Sequence, residues 1–227
     1  MDLNKYLNGV LKMINTILFD LDGTILDTLM DLTNAVNHTL RKFGYKERTA
    51  KQVRSFLGNG AKQLILKSLD GDESQLDEVL SYYMPYYEAN SECLTKPYEG
   101  IEELLKKLKH NYKLGVVSNK HQKAVEKIIE KYFPNIFDVV IGEQQGVPKK
   151  PAPDMLFNAL KGLNANIENT IFIGDSEVDI QTGKNAGMDV IAVAWGFRDK
   201  DELIDHEPNY LIDEVNDILL LLEGIDK

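Results

Sequence analysis

The chain has 227 residues, 43% hydrophobic and 27% charged, with 36 acidic against 26 basic side chains and a formal net charge of −10. At roughly 100–200 residues per domain this is one large domain or a domain carrying an insertion, with enough apolar material to exclude a disulfide-stapled miniprotein and a disordered chain. An acidic chain repels polyanions on average, so neither nucleic acid nor an anionic membrane surface is expected as a partner, while a local basic site keeps small phosphorylated metabolites open.

The single cysteine, Cys93, cannot form an internal disulfide and fits a reducing compartment. No apolar run approaches the about 20 residues of a membrane span. The N-terminus lacks a basic stretch followed by an apolar run, so no secretory signal is expected. These features point to a cytoplasmic protein, with monomer and homodimer both open.

Residues 1–12 carry little pattern and read as an extension or short helix, the fold beginning near Met13. Residues 14–19 are largely β-branched and apolar, a buried strand closed by the turn Asp20-Leu21-Asp22-Gly23-Thr24. From about Leu29 to Ser91 the pattern is helical: Leu32, Val36, Leu40 and Phe43 share one face, Leu64, Ile65 and Leu69 a second, and Leu76, Val79, Leu80, Tyr83 and Tyr87 a third. Lys96-Pro97-Tyr98 with Gly100 marks a boundary.

Strand–helix alternation follows. Helices are expected at 99–110, 122–132, 154–163, 178–186 and 215–222, with strands at 112–117, 138–141, 170–173, 190–194 and 209–212. Strands separated by helices of this length imply right-handed crossovers and a parallel sheet covered on both faces. The expected fold is therefore α/β, a doubly wound (Rossmann-like) parallel sheet core with an inserted all-helical cap domain. The core takes residues 13–27 and 97–227, and the cap takes 28–96.

In open parallel sheets, ligands bind beyond the carboxyl ends of the strands. Three of the expected strands end in polar segments: Asp20-Leu21-Asp22-Gly23-Thr24, Ser118-Asn119-Lys120, and Gly174-Asp175-Ser176-Glu177-Val178-Asp179. Lys149-Lys150-Pro151-Ala152-Pro153-Asp154 lies between the last two. Taken singly, each has a plain reading as a turn, a helix cap or a solvated lysine. Together they would converge Asp20, Asp22, Asp175 and Asp179 at one sheet edge, where like charges raise some pKa values unless compensated. A hard cation such as Mg²⁺ relieves that crowding with one or two carboxylates, waters and substrate phosphate. A lysine adds positive charge, and Ser118 with nearby backbone N–H groups can donate to phosphate oxygens. These parts suit phosphoryl transfer through an aspartyl-phosphate.

The segments Asp20-Leu21-Asp22-Gly23-Thr24-Ile25-Leu26-Asp27, Ser118-Asn119-Lys120, Lys150-Pro151-x-Pro153-Asp154 and Gly174-Asp175-Ser176-x-x-Asp179 resemble the four motifs of the haloacid dehalogenase superfamily, from Met13 to the C-terminus. The helical insert resembles the small cap of its phosphoglycolate phosphatase-like members. Leu57-Gly58-Asn59-Gly60 is similar to the loop they aim at the active site, and Trp195-Gly196-Phe197 fits the same subgroup. The resemblance implies that Asp20 is the nucleophile and Asp22 the general acid, then base. It implies that Ser118 and Asn119 hold the phosphoryl group and that Lys150, chosen over Lys149 because it directly precedes the proline, pairs with Asp20 and a phosphate oxygen. Mg²⁺ would be bound by Asp20, the backbone carbonyl of Asp22 and Asp175, with Asp179 a ligand or a partner behind the ligands. Haloacid-type members need no metal; the acidic fourth motif here is the phosphatase version.

A mobile cap would control water and read the leaving group. Gly58, Asn59 and Gly60 are its candidate substrate contacts, although the glycines could simply join two helices, and Lys62 is placed in solvent. Tyr82, Tyr83, Tyr86 and Tyr87 span both faces of a helix and read as core or interface rather than a base-stacking platform. His38, His110, His121 and His206 show no metal-like spacing and are placed at the surface. The expected activity is Mg²⁺-dependent hydrolysis of a small phosphorylated metabolite, 2-phosphoglycolate first. Alternatives are a sugar phosphomutase and a 5'-nucleotidase or pyrophosphatase. A non-enzymatic phospho-acceptor switch is disfavoured by the chain's length and insert.

Overall fold

A computed structural model describes residues 13–225; the expectation for residues 1–12 lies outside them. Six strands form one parallel sheet: β1 (Thr16–Phe19), β4 (Lys113–His121), β5 (Val139–Glu143), β6 (Thr170–Gly174), β7 (Asp189–Val193) and β8 (Tyr210–Ile212). Their order is β5-β4-β1-β6-β7-β8, so the chain leaves β1 in both directions and opens a crevice at the carboxyl ends of the central strands.

The two-residue side-chain period of β1 explains the layers. Ile17 and Phe19 pack with α5 (Ile101–Lys109), α6 (Gln122–Tyr132) and α10 (Asp217–Ile225) through Leu105, Ile128 and Ile218. Leu18, on the other face, packs with Val117, Phe172 and α7 (Asp154–Leu163) through Leu156 and Leu160. Beside it, Ile180 of α8 (Glu177–Ala186) and Leu203 of α9 (Lys200–Asp205) cover Val190 and Ala192 of β7. The sheet is thus doubly wound, as expected. α9 is an addition to the expected elements, being too short for a periodic signal.

Between β1 and β4 the chain makes α1 (Leu29–Lys42), α2 (Ala50–Phe56), α3 (Ala61–Ser68) and α4 (Leu76–Asn90). Val36, Leu40, Ile65, Val79 and Tyr83 give this insert an apolar core of its own, completed by Phe197 from the loop after β7. Its base is closed by a small antiparallel ribbon, β2 (Leu26–Asp27) against β3 (Lys96–Pro97), whose two-residue strands left no pattern in the sequence. Buried Asp31 adds a second tie. Its carboxylate accepts from the backbone N–H groups of Leu94 and Thr95 and from the Thr95 hydroxyl, joining the start of the insert to its end. Among the described residues, no helix is long and apolar enough to cross a membrane.

Strand β4 runs beyond the expected end at 117. Its pairing with β5 shifts register between Val117 and His121, and Ser118-Asn119-Lys120 occupy that irregularity. Such breaks re-aim side chains at sheet ends and are common next to active sites.

Candidate active site

Sheet register decides which side chains meet. Phe19 is level with Val116 of β4 and with Ile173 of β6. Asp20 therefore leaves the centre of the sheet, with Ser118 just past one neighbouring strand level and Asp175 just past the other. The Asp20 backbone N–H donates to the Ile173 carbonyl at 2.8 Å, which keeps the carboxyl end of β1 in line.

Carboxylate oxygens of Asp20, Asp175 and Asp179, all three residues buried, lie within 4.8 Å of one another. Lys150 sits among them, its Nζ 2.8 Å from Asp20 Oδ1 and 2.7 Å from Asp179 Oδ1. Asp179 also caps its own helix: its Oδ2 accepts from the Ser176 backbone N–H at 3.1 Å and from the Ser176 hydroxyl at 2.6 Å. Asp175 is fixed by the Thr24 hydroxyl (3.1 Å to Oδ1) and the Phe197 backbone N–H (2.6 Å to Oδ2).

Close approach at Asp175 explains two glycines. A Cβ on Gly23, whose φ is +92°, would lie 2.3 Å from Asp175 Oδ2, and one on Gly196 would lie 2.2 Å from Asp175 Cβ. Neither distance is tolerable, and Gly23 also needs the left-handed backbone that only glycine adopts freely.

Three carboxylates against one ammonium leave an excess of negative charge in a buried space. Burial, reinforced by Asp179 and Asp22 and opposed by Lys150, pushes the Asp20 carboxyl up to about 7. Burial, with Asp179 and Asp20 adding to it, pushes Asp175 well above the usual carboxylate range. Burial alone would weaken the Lys150 ammonium, but Asp179 and Asp20 outweigh it and hold the proton. An all-oxygen donor set with uncompensated charge fits a hard divalent cation.

Asp22 stands apart from this group. Its carboxylate accepts from Lys120 Nζ at 2.7 and 3.0 Å, and the same nitrogen lies 2.5 Å from the Tyr87 hydroxyl on α4. The Asn119 side chain is engaged within the protein. Its amide nitrogen donates to the carbonyls of Gly58 (3.0 Å) and Lys150 (2.9 Å), and its Oδ1 accepts from the Lys150 N–H (2.9 Å). That side chain holds the lysine turn and the Gly58 loop together. Buried Ser118 accepts from the Lys120 N–H at 3.2 Å, and its own proton stays available to an acceptor.

A cavity of about 500 Å³ lies between the insert and the sheet. Asp20, Asp22, Ser118 and Lys150 form its floor, while Gly58, Gly60, Leu64, Tyr83 and Tyr87 bring the insert to it. Asn59 is half-buried in the same loop. Lys62 lines the cavity yet is exposed, as expected.

Residues beyond those singled out in the sequence complete the site. Lys120 was visible as part of its motif, but its partners were not. Arg198, nearly fully buried, pairs with Glu177 (2.6 Å) and donates to the carbonyls of Leu57 (2.8 Å) and Arg54 (3.3 Å), tying the α2–α3 loop to α8. No local signal marked it. His110, His121 and His206 are exposed, whereas His38 is half-buried, stacked on Tyr86 with ring centroids 3.7 Å apart and 3.0 Å from the Tyr82 hydroxyl.

Comparison with known proteins agrees with this geometry. The model of the haloacid dehalogenase-like hydrolases matches residues 17–193, from β1 to the end of β7. Pyrophosphatase PpaX of Bacillus mycoides (strain KBAB4) is 32% identical over 215 residues, covering 94% of this chain and 99% of its own. A candidate phosphoglycolate phosphatase of Lactobacillus delbrueckii subsp. bulgaricus superposes with a TM-score of 0.89 at 34% identity, over 94% of this chain and 98% of that one. A haloacid dehalogenase-like hydrolase of Streptococcus pneumoniae does so with a TM-score of 0.85 at 26% identity, over 92% and 98%. The family match spans both strands that carry the acidic cluster and the lysine turn between them, and on that footing the chain belongs to the haloacid dehalogenase-like hydrolases.

Proposed function

We propose that the chain is a Mg²⁺-dependent phosphatase of a small phosphorylated metabolite, working through a phosphoryl group on Asp20. The observation that carries this reading is Lys150 held between Asp20 and Asp179, with Asp175 in the same buried group. In it, residues 13–27 and 97–227 form the catalytic core and 28–96 the cap.

In the first step an Asp20 carboxylate oxygen bonds to phosphorus as the bond from phosphorus to the leaving oxygen breaks. Asp22 gives that oxygen a proton. In the second step Asp22 takes a proton from water as the water oxygen attacks phosphorus, which releases phosphate and restores Asp20. Before substrate binds, the Asp22 carboxylate is paired with Lys120. Ser118 and the backbone at Asn119 hold the phosphoryl oxygens, and Lys150 lowers the repulsion between nucleophile and dianion. Asp20, Asp175 and the backbone carbonyl of Asp22 would hold the cation. Asp179, engaged by Lys150 and Ser176, keeps the lysine and the α8 turn in place behind them. When bound, Mg²⁺ neutralises charge on the carboxylates and the phosphoryl oxygens.

For the substrate, 2-phosphoglycolate and inorganic pyrophosphate come first. Pyrophosphate enters through the Bacillus relatives' name, and phosphoglycolate through the Lactobacillus structure's. The test is phosphate release with and without Mg²⁺ from these two, nucleoside monophosphates and hexose phosphates. Cation-dependent release abolished by Asp20→Asn is the expected result. Isomerisation of a hexose phosphate without release would make the chain a mutase, and activity surviving Asp20→Asn would overturn the mechanism.

A further inference from the structure

The segment Trp195-Gly196-Phe197-Arg198, just past β7, touches the acidic group on one side and the insert on the other. Towards the acidic group, the Phe197 N–H donates to Asp175 Oδ2 at 2.6 Å. The Thr24 hydroxyl holds the other Asp175 oxygen, and Trp195 Nε1 donates to the Thr24 carbonyl at 3.0 Å. Towards the insert, the Phe197 ring belongs to the insert's own apolar core. Arg198 donates to the carbonyls of Leu57 at 2.8 Å and Arg54 at 3.3 Å. Arg54 answers from α2, its guanidinium 3.0 Å from the Gly196 carbonyl oxygen and 3.0 Å from Asp199 Oδ1.

The Gly196 carbonyl and the Phe197 N–H belong to one planar peptide group, which turns as a unit. Arg54 of the insert therefore holds one end of the group whose other end holds Asp175. A guanidinium on the carbonyl also polarises the peptide and strengthens its N–H as a donor. We propose that this peptide couples the seating of the insert to the cation site, with Arg54 and Arg198 as positioning residues that act on Asp175 through it. The coupling rests on the Mg²⁺-dependent reading above. It extends that reading to the α2–α3 loop, which supplies none of the proposed cation ligands. Linkage is reciprocal: if the seated insert favours the Asp175 orientation that holds a cation, a cation favours the seated insert by the same factor.

The experiment uses the full chain without substrate and measures Mg²⁺ affinity by calorimetry. Amide exchange of residues 54–60 is followed with and without Mg²⁺. In the wild type, with no variant needed, Mg²⁺ should slow exchange across this loop. Arg54→Met removes the bond to Gly196 from a side chain that is 31% exposed, and the Asp199 carboxylate it leaves is in solvent. It should raise the Kd for Mg²⁺ at least about fivefold and shrink the slowing of exchange. Charge alone predicts the opposite sign, since deleting a positive side chain near the site would tighten the hold on Mg²⁺. Arg48 bonds to the Ser68 carbonyl elsewhere in the insert, and Arg48→Met should leave the Kd within about twofold of the wild type. Wild-type exchange that ignores Mg²⁺, or an Arg54→Met Kd no higher than the wild type's, overturns the coupling while the phosphatase reading stands. An equal rise in Arg48→Met also overturns it, because the effect would then come from the stability of the insert at large. Failure of the wild type to bind Mg²⁺ overturns the cation reading and the coupling together.

Discussion

Asp20 and Asp22 are two residues apart in one turn, yet each answers to a different lysine. Asp20 pairs with Lys150 inside the acidic group, and Asp22 pairs with Lys120 under the insert. If Asp22 meets the cation only through its backbone carbonyl, replacing its side chain should separate chemistry from binding. Asp22→Asn is expected to lose about 10²–10⁴-fold in kcat, the range of general acid–base catalysis, while Mg²⁺ affinity measured by calorimetry stays near that of the wild type. Equal loss of both would return the Asp22 carboxylate to the cation. Gly23→Ala should do the reverse. Its Cβ would occupy the place of Asp175 Oδ2 in a backbone conformation of positive φ. Displacing Asp175 should weaken Mg²⁺ binding at least about tenfold and cost about 1–3 kcal/mol of stability, read by calorimetry and thermal unfolding. Asp20 and Asp175 were legible in the sequence because each follows an apolar strand run, and Asp22 and Asp179 because they lie two and four residues further on. The partner choices were not, since Lys120–Asp22 and Asn119–Lys150 join segments far apart in the chain. Asn119 is an example: its position beside a strand end is legible, but its three side-chain hydrogen bonds to the Gly58 loop and the lysine turn are not.

At the scale of elements, the contacts that join the insert to the core include the β2–β3 ribbon, the Asp31 carboxylate that closes its base, and Arg198 at the α2–α3 loop. Three of its four helices were legible because their apolar positions repeat at helical spacing; the seven-residue α2, with only Val53 buried, carries no such repeat. The ribbon was not, since two-residue strands carry no period, and neither was Asp31, which reads in sequence as an ordinary acidic residue in a first helical turn. Its work is to gather hydrogen bonds from Leu94 and Thr95 across the insert's whole length. Asp31→Asn keeps the shape but turns one acceptor into an NH₂ facing N–H donors. A stability loss of about 2–3 kcal/mol follows from breaking charged hydrogen bonds in a buried place. That is roughly 4–12 °C in thermal midpoint for a chain of this size. A midpoint within about 1 °C of wild type would show that the ribbon holds the insert without Asp31.

At the scale of the molecule, the buried acidic group couples folding to proton concentration and, on the reading proposed above, to cation concentration. Asp20 titrates near 7 in the cation-free fold, and Asp175 also lies above its ordinary range, both chiefly because burial disfavours their charge. Between about pH 4 and pH 7 the folded protein therefore binds more protons than the unfolded chain. Stability of the cation-free protein must fall as pH rises through that window, by up to about 1.4 kcal/mol per pH unit for each such carboxylate. A divalent cation held by these carboxylates would bind the ionised form and reverse the penalty, stabilising the fold by mass action. The thermal midpoint with saturating Mg²⁺ minus that with EDTA should accordingly widen from pH 5 to pH 8. The widening should come mainly from decline of the EDTA sample. Asp20→Asn, which cannot ionise at that position, should flatten the EDTA curve. A gap that stays constant across this range would mean that the cation does not bind at these carboxylates, and the arrangement around Lys150 would then be an ion-pair network that serves only the fold.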